Sequence, residues 1–347
     1  MSRTMPAAPA PQGVRSHNER QILWLIRRHG PMPRAALAHA TGLSPQAVTN
    51  ITRELIAAGL LDARGEPQRG KVGQPLLPLA LAAEGALFFG LKVGRRLAEL
   101  VLVDFAGQIR DTRTLPYAWA HPDEIRDFVT HTMALMRAAL TVDQRARIAG
   151  LGIASPFYLW DWGVEMVPWR GRDLRAELSG QLDMPVWFEN DGTCACAAEM
   201  TFGSDELPED FLYFYLAHFG GGGVVLDGRL RLGPSRNAGA MGSYPVPGGR
   251  QLLDVASIST LEARLGHDLP LDDSAWHLPP HIAREWLDES ARVLSHAALG
   301  VVAVLDLPLV VIDGAMPAGL RAALVQATSG CLAAMRHHGI TLPEVRA

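Results

Sequence analysis

Residues 33–61, PRAALAHATGLSPQAVTNITRELIAAGLL, constrain this chain more than any other stretch. Alanine and leucine at helical spacing fill residues 34–40, and Thr41-Gly42-Leu43 interrupts them. Ser44-Pro45 then restarts a helix with a strong N-cap followed by proline at the first helical position. The pattern predicts a helix, a tight turn and a second helix. Leu37, Ala40, Leu43, Val48, Ile51 and Leu55 can share one small core. That leaves Gln46, Ala47, Thr49, Asn50 and Arg53 on the outer side of the second helix, with Ser44 at its start and Arg34 on the helix before it. These are short polar donors and acceptors where a major groove would meet them.

Two short helices joined by a glycine turn also occur in folds that never touch DNA, but three neighbours favour the nucleic-acid reading. An amphipathic stretch at 18–29, with Ile22, Leu23, Leu25 and Ile26 apolar, supplies the third helix that a minimal core of this kind needs. After Gly59, residues 60–78 read as a short β-hairpin whose glycine-rich tip, 64–73, carries Arg64, Arg69 and Lys71, a wing placed to meet phosphates or a minor groove. Charge is the third. Residues 1–75 hold nine Arg and one Lys against three Glu and one Asp, a balance of +6 in a chain whose net charge is -4. Basic charge confined to a small domain fits phosphate contact with counterion release, while an acidic body is held away from DNA.

At 347 residues, 48% hydrophobic and 20% charged, the chain exceeds one ordinary domain and excludes a fibrous or disordered class. Its apolar runs fall short of the roughly 20 residues a membrane helix needs, and residues 1–13 form a Pro/Ala tail without the apolar core of a signal peptide. No membrane partner and a cytoplasmic location are expected. Three cysteines (Cys194, Cys196, Cys331) without framework spacing argue against disulfides. Cys194 and Cys196 lie two apart in a helix-like run and so face different ways.

From about residue 81 the pattern turns to β. Three runs (86–93, 97–105, 108–115) read as successive antiparallel strands, followed by a helix (122–140), an apolar strand (148–154) and an aromatic-rich loop (155–168). A helix (173–182) and a short strand (185–189) then deliver Asn190-Asp191 into another helix (192–201). The second half repeats the scheme: a strand (211–217), a four-glycine turn (220–223), a hairpin (224–232), a helix (252–265), a long helix (281–304), a buried strand (309–313) and a closing helix (317–336). Alternation of this kind means α/β layers in two lobes of related plan, with a cleft between them for a ligand.

The order of these segments, with GLK at 90–92, GLGIASP at 150–156, FEND at 188–191, GGGGVVLDG at 220–228, NAGAMG at 237–242 and VVIDGA at 310–315, resembles the ROK family of repressors and sugar kinases, and more narrowly its transcriptional regulators. The resemblance implies an actin-like, sugar-kinase fold of two lobes behind a winged helix-turn-helix. The expected division is a flexible tail at 1–14, the winged helix-turn-helix at 15–79 and the ROK domain at 82–347. Lobe I takes about 82–188 plus the C-terminal helix, and lobe II takes about 189–316. It also implies a homodimer or homotetramer, double-stranded operator DNA as partner, and a small-molecule effector, possibly a sugar. Effector contacts would come from Asn190, Asp191, Ser155, Phe157, Gly239, Ala240 and Ser243.

Several departures from that family point away from catalysis. Kinase members hold ATP phosphates with an Asp-x-Gly-x-Thr turn, whereas here Lys92 stands at the aspartate position and Arg96 near the threonine, so the magnesium handle is gone. The second phosphate turn reads Ala217-His218-Phe219, and only residues 220–223 keep the character of a nucleotide site. Asp191 would be the general base of a kinase, but without a bound phosphoryl donor it reads as an acceptor for ligand hydroxyls, or as a cap on the helix that follows. Ala240 and Ser243 replace a glutamate and a histidine of the family's sugar-contacting segment. Residues 244–262 contain no Cys or His to complete the family's zinc site, leaving Pro245, Val246, Leu252 and Leu253 to pack in its place. No cofactor and no metal are expected. Phe157, Tyr158, Trp160, Trp162 and Trp169 can stack on a ligand or fill lobe core. In the wing, Gln74 stands where the family's regulators commonly carry arginine. The expected function is a DNA-binding regulator, more specifically a repressor under effector control. The alternatives are a sugar kinase with an accessory domain and an effector-independent DNA-binding dimer.

Overall fold

The computed structural model describes residues 17–63, 77–203 and 207–347, so the wing residues Arg64, Arg69, Lys71 and Gln74 and the N-terminal tail lie outside the described residues. The N-terminal helices form where their spacing predicts: α1 (His17–His29), α2 (Arg34–Thr41) and α3 (Pro45–Ala57). Gly42 ends α2 in the left-handed region at φ +69, which glycine adopts without steric cost. Ser44 then caps α3, its Oγ accepting the Ala47 N–H at 3.2 Å. Ile22, Ile26, Leu37, Val48 and Leu55 are buried together, with Leu43 and Ile51 at the margin. Ala40 is exposed, because it falls on the outer side of a helix only two turns long. Strands β1 (Leu61–Ala63) and β2 (Leu79–Leu81) pair antiparallel, and Leu79 also exchanges both backbone hydrogen bonds with Met32.

A 3-10 turn, Ala83–Gly85, leads from β2 into the body, and here the two are locked. Strand β3 (Leu87–Val93) pairs antiparallel with β4 (Leu97–Asp104), and β4 with β5 (Ile109–Pro116). The turn after β4 is held by Asp104, which is 2% exposed. Its carboxylate accepts the N–H groups of Ala106 (2.9 Å) and Gln108 (3.0 Å) and Arg110 Nε (2.6 Å). That turn presents Phe105 to the helical core. The Arg27 guanidinium lies 5.4 Å from the Phe105 ring centroid and donates to the Phe105 carbonyl. Burial lowers the pKa of Arg27, and the nearby Asp104 charge opposes that shift. Arg147 adds a second clamp, donating from Nη1 to the Ala58 carbonyl at 2.7 Å.

The rest of the first unit, Met1–Glu189, is an α/β layer. Helices α4 (Pro122–Ala138) and α5 (Val142–Ala146) lead into β6 (Ile148–Ala154), and α6 (Leu174–Gln181) into β7 (Val186–Glu189). The sheet order is β5-β4-β3-β6-β7, with β6 parallel to both β3 and β7.

The second unit, Asn190–Ala347, repeats the plan. After α7 (Asp191–Phe202), strands β8 (Phe211–Leu216), β9 (Gly220–Leu226) and β10 (Arg229–Leu230) form an antiparallel run. The short hairpin β11 (Pro245–Val246) and β12 (Arg250–Gln251), then α8 (Ile258–Leu265) and α9 (Pro280–Leu305), precede β13 (Leu309–Gly314). Helix α10 (Ala318–Ala334) and the edge strand β14 (Glu344–Arg346) complete the order β10-β9-β8-β13-β14, with β13 parallel to β8 and β14. Two readings change. The closing helix α10 packs on this unit's core through Leu324, Val325 and Cys331, so it belongs with the second lobe and not the first. Residues 220–223 are not a turn but the first half of β9, in register with Tyr213, Phe214, Tyr215 and Leu216.

Trp286 is fully buried at the centre of the second unit, its Nε1 donating to the Ser257 carbonyl and to Thr260 Oγ1, both at 3.1 Å. Trp286→Ala is expected to lower unfolding stability by about 3–5 kcal/mol, read as a fall in the urea midpoint.

Candidate functional sites

The outer face of α3 presents a connected polar row. Gln46, Thr49 and Arg53 are exposed, and Asn50 and Ala47 are partly so. Asn50 Oδ1 accepts from Gln46 Nε2 at 3.2 Å and from Arg53 Nη2 at 3.1 Å, which pre-positions three side chains along one line of the helix. Thr49 Oγ1 donates back to the Pro45 carbonyl at 2.8 Å, leaving its lone pairs outward. Ser44 is exposed, and its Oγ accepts the Ala47 N–H as the N-cap, a role that leaves the hydroxyl proton to be donated outward. Arg34 is turned to the inside edge, where its Nε donates to Oγ1 of the buried Thr52 at 2.9 Å.

In the second unit, β9 brings the segments at 190–192 and 239–243 together. Asn190, not Asp191, is the N-cap of α7: its Oδ1 accepts the N–H groups of Gly192 (3.0 Å) and Thr193 (3.4 Å). Asp191 Oδ1 also accepts from Gly192 N–H, at 2.9 Å. The four glycines of β9 explain this closeness. A Cβ on Gly223 would stand 2.6 Å from Cys196 Cβ of α7, one on Gly192 would stand 2.7 Å from Gly222 N, and one on Gly239 would stand 2.7 Å from Gly223 Cα. Backbone lies on backbone through this layer. The glycine run therefore packs a helix and a turn on a strand, and its sequence had the look of a phosphate cradle because both uses demand the absence of Cβ. Asn190, Asp191 and Ala240 are each half-buried, and Ser243 is exposed. Cys196, at 0% exposure, is pushed by burial up to about 12 and stays a neutral thiol.

The kinase-like turns carry other bonds. In the first unit Lys92 is exposed and faces Glu99 across the ladder. Arg95 of the next turn stacks 3.5 Å from the Trp119 ring centroid, and the Gly94 carbonyl accepts the Tyr117 hydroxyl at 2.8 Å. In the second unit the carbonyls of Ala217 and His218 accept the N–H groups of Ile258 and Ser259, and His218 Nδ1 stands 3.4 Å from Glu262 Oε2. The Gly220 N–H is taken by Ser257 Oγ at 2.8 Å. The donor chemistry does not fit the metals of related folds: a cation stands where magnesium would need a carboxylate, and 244–262 offer no thiolate or imidazole for zinc. There Val246 and Leu252 are buried, Leu253 partly, while Pro245 is exposed.

Ser155 is 1% exposed, and Phe157 stacks on Phe188 with ring centroids 5.8 Å apart. Trp169 is core, its Nε1 donating to the Ala120 carbonyl at 2.7 Å, and Trp160 and Trp162 pack against the same core. Tyr158 remains exposed.

A winged helix ahead of two α/β units of one repeated plan is the build of a DNA-binding protein with a sugar-kinase-like body. Known families agree: a winged helix-turn-helix DNA-binding profile matches residues 15–62, and the ROK family profile matches residues 88–259. The chain thus carries a ROK domain behind a winged helix-turn-helix. It is 29% identical over 328 residues to the Sinorhizobium fredii protein y4fQ, covering 90% of this chain and 81% of that one. It is 23% identical over 237 residues to the xylose repressor of Bacillus subtilis, covering 67% of this chain but 61% of the repressor. Among solved structures, a ROK family transcriptional regulator homologous to the Escherichia coli Mlc protein superposes with a TM-score of 0.63 at 20% identity, over 95% of this chain and 91% of that one. A ROK family glucokinase from Streptomyces griseus, solved with glucose and AMPPNP, gives 0.56 at 16% identity over 75% and 93%. Both share the fold.

Gly223→Val tests the close-packed layer. The added side chain has no room against Cys196, and a loss of about 1–3 kcal/mol is expected, measured as a lower thermal midpoint. An unchanged midpoint would show that α7 stands off the strand.

Proposed function

We propose that this chain is a DNA-binding transcriptional regulator of the repressor type, acting as a homodimer or homotetramer, whose body senses a small molecule and is not a phosphotransferase. The observation that carries it is the polar row Gln46–Asn50–Arg53 on an exposed, Ser44-capped helix of a winged helix-turn-helix. Gln46 and Asn50 read base edges, with Ala47 and Thr49 making the shorter contacts. Arg34, Ser44 and Arg53, with Arg69, Lys71 and Gln74 of the wing, hold the backbone and minor groove. Sugar-class effectors are supported by the repressor relatives, and Asn190 and Asp191, with Gly239, Ala240 and Ser243, are the residues proposed to meet the ligand hydroxyls. An effector shifts DNA occupancy only by its differential affinity for two arrangements of the protein. A cytoplasmic location follows from this function.

A kinase reading draws on the glucokinase likeness. It has to supply magnesium and phosphate binding from Lys92 and from the Gly220 amide, already bonded to Ser257, in a segment whose Ala217 and His218 carbonyls accept the N–H groups of Ile258 and Ser259.

Fluorescence anisotropy on the duplex upstream of the chain's own coding region tests the DNA reading. Asn50→Ala is expected to weaken binding to the preferred site by about 1–3 kcal/mol and to relax preference there. Arg53→Ala is expected to weaken all duplexes alike and reduce the salt slope by about 1. Equal binding of wild type and Asn50→Ala to specific and random DNA would remove the claim. A coupled ADP-release assay with hexoses and aminosugars is expected to show no turnover, and turnover abolished by Asp191→Asn would reinstate the enzyme.

A further inference from the structure

The second unit has a cavity that shares no residue with 190–192 or 239–243. It lies where α9, the last turn of α10 and the β11–β12 hairpin meet, with a volume of about 580 Å³, within the range of about 300–1,000 Å³ that small-molecule sites occupy. The hairpin is seated by Tyr244, whose hydroxyl lies so close to Gly300 of α9 that a Cβ there would be 2.0 Å away, and whose ring meets His296 edge-on at 6.3 Å. The apolar side of the cavity comes from Val255 and Val293, both buried, with Cys331 and Met335 of and just after α10.

Two guanidiniums line the same cavity, Arg250 from β12 and Arg292 from α9, both exposed. Glu289, one turn before Arg292, is placed to neutralise it at (i, i+3) spacing. Its carboxylate instead accepts from Arg264 of α8 at 2.8 Å. Among the described residues neither Arg250 nor Arg292 makes an ion pair. A pair of unmatched guanidinium forks beside an apolar wall has a definite complement: an oxyanion for the forks, joined to a compact ring for the wall. Met335 adds a polarizable contact suited to an aromatic face.

We propose that this cavity is a second ligand site, binding a small aromatic anion, a phosphate monoester or carboxylate, through Arg250 and Arg292, with its ring on Val255, Val293 and Met335. The site is independent of the regulator reading and of the Asn190–Asp191 segment.

Phenyl phosphate is the probe, used on the full chain with two readouts. Calorimetry is expected to show saturable binding, weakened at least tenfold in Arg292→Ala and in Arg250→Gln and abolished by Ala334→Trp, which fills the cavity. Asp191→Asn is expected to leave it unchanged. Iodoacetamide labelling followed by peptide mass spectrometry is expected to show Cys331 protected several-fold by phenyl phosphate, with Cys194 unaffected. Benzoate is expected to protect as well, and phenol and inorganic phosphate much less. Because both arginines are exposed, their variants are expected to fold, with thermal midpoints as the check. The proposal is overturned if nothing binds, if Arg292→Ala and Ala334→Trp leave affinity unchanged, if inorganic phosphate protects Cys331 as well as phenyl phosphate does, or if Asp191→Asn alone removes binding.

Discussion

The contact of Phe105 with Arg27 is the constraint on which the rest of the first unit depends. A phenyl ring from the turn between β4 and β5 enters the helical core, and a half-buried guanidinium lies over it. Such a cation is stable away from water only with an opposite charge nearby and a lone pair to meet its protons. Asp104 and the Phe105 carbonyl supply both. Because Asp104 is itself saturated by two backbone amides and Arg110, the turn has no freedom to slide. The DNA-reading helices are thus an extension of the β3-β4-β5 sheet and not a bead on a tether. Arg147 closes the same junction from the other side. At φ +73, Gly59 accepts that approach, since a Cβ would meet the Arg147 guanidinium at 3.0 Å.

The body keeps a sugar-kinase architecture while its polar groups are turned inward. The Gly220 amide is bonded to Ser257, the Ala217 and His218 carbonyls accept from Ile258 and Ser259, and the hydroxyl of Tyr117 holds Gly94. The glycine-rich signature has a packing use: β9 lies against α7 and the 239–242 turn with no side chain between. The close approach of backbones and the approach of backbone to phosphate ask the same thing of a residue, the absence of a Cβ.

Much of this was legible before any coordinates, and the misses have physical causes. Ser44-Pro45, Gly42 and the apolar spacing of Leu37, Val48 and Leu55 act within a few residues, so helix, turn and exposed face follow from local rules. The body's strand and helix order follows for the same reason. Residues 220–223 misled because glycine carries no side chain with which to show the period of a strand. Asn190 and Asp191 are both good caps, and only the geometry of Gly192 and Thr193 decides for Asn190. The aromatics at 160–169 read equally as ligand contacts or core, and the Trp169 bond to Ala120 makes that one core. The lobe that owns α10 and the Arg27–Phe105 pair, whose members are 78 residues apart, are long-range facts with no local signature.

The central claim is that the face of α3 selects a DNA sequence. Mapping the DNA that the chain occupies in living cells, by crosslinking, capture and sequencing, tests it most directly. A small set of discrete sites sharing one short sequence is the predicted result. Even coverage that follows only base composition, or no enrichment over an untagged strain, would contradict it.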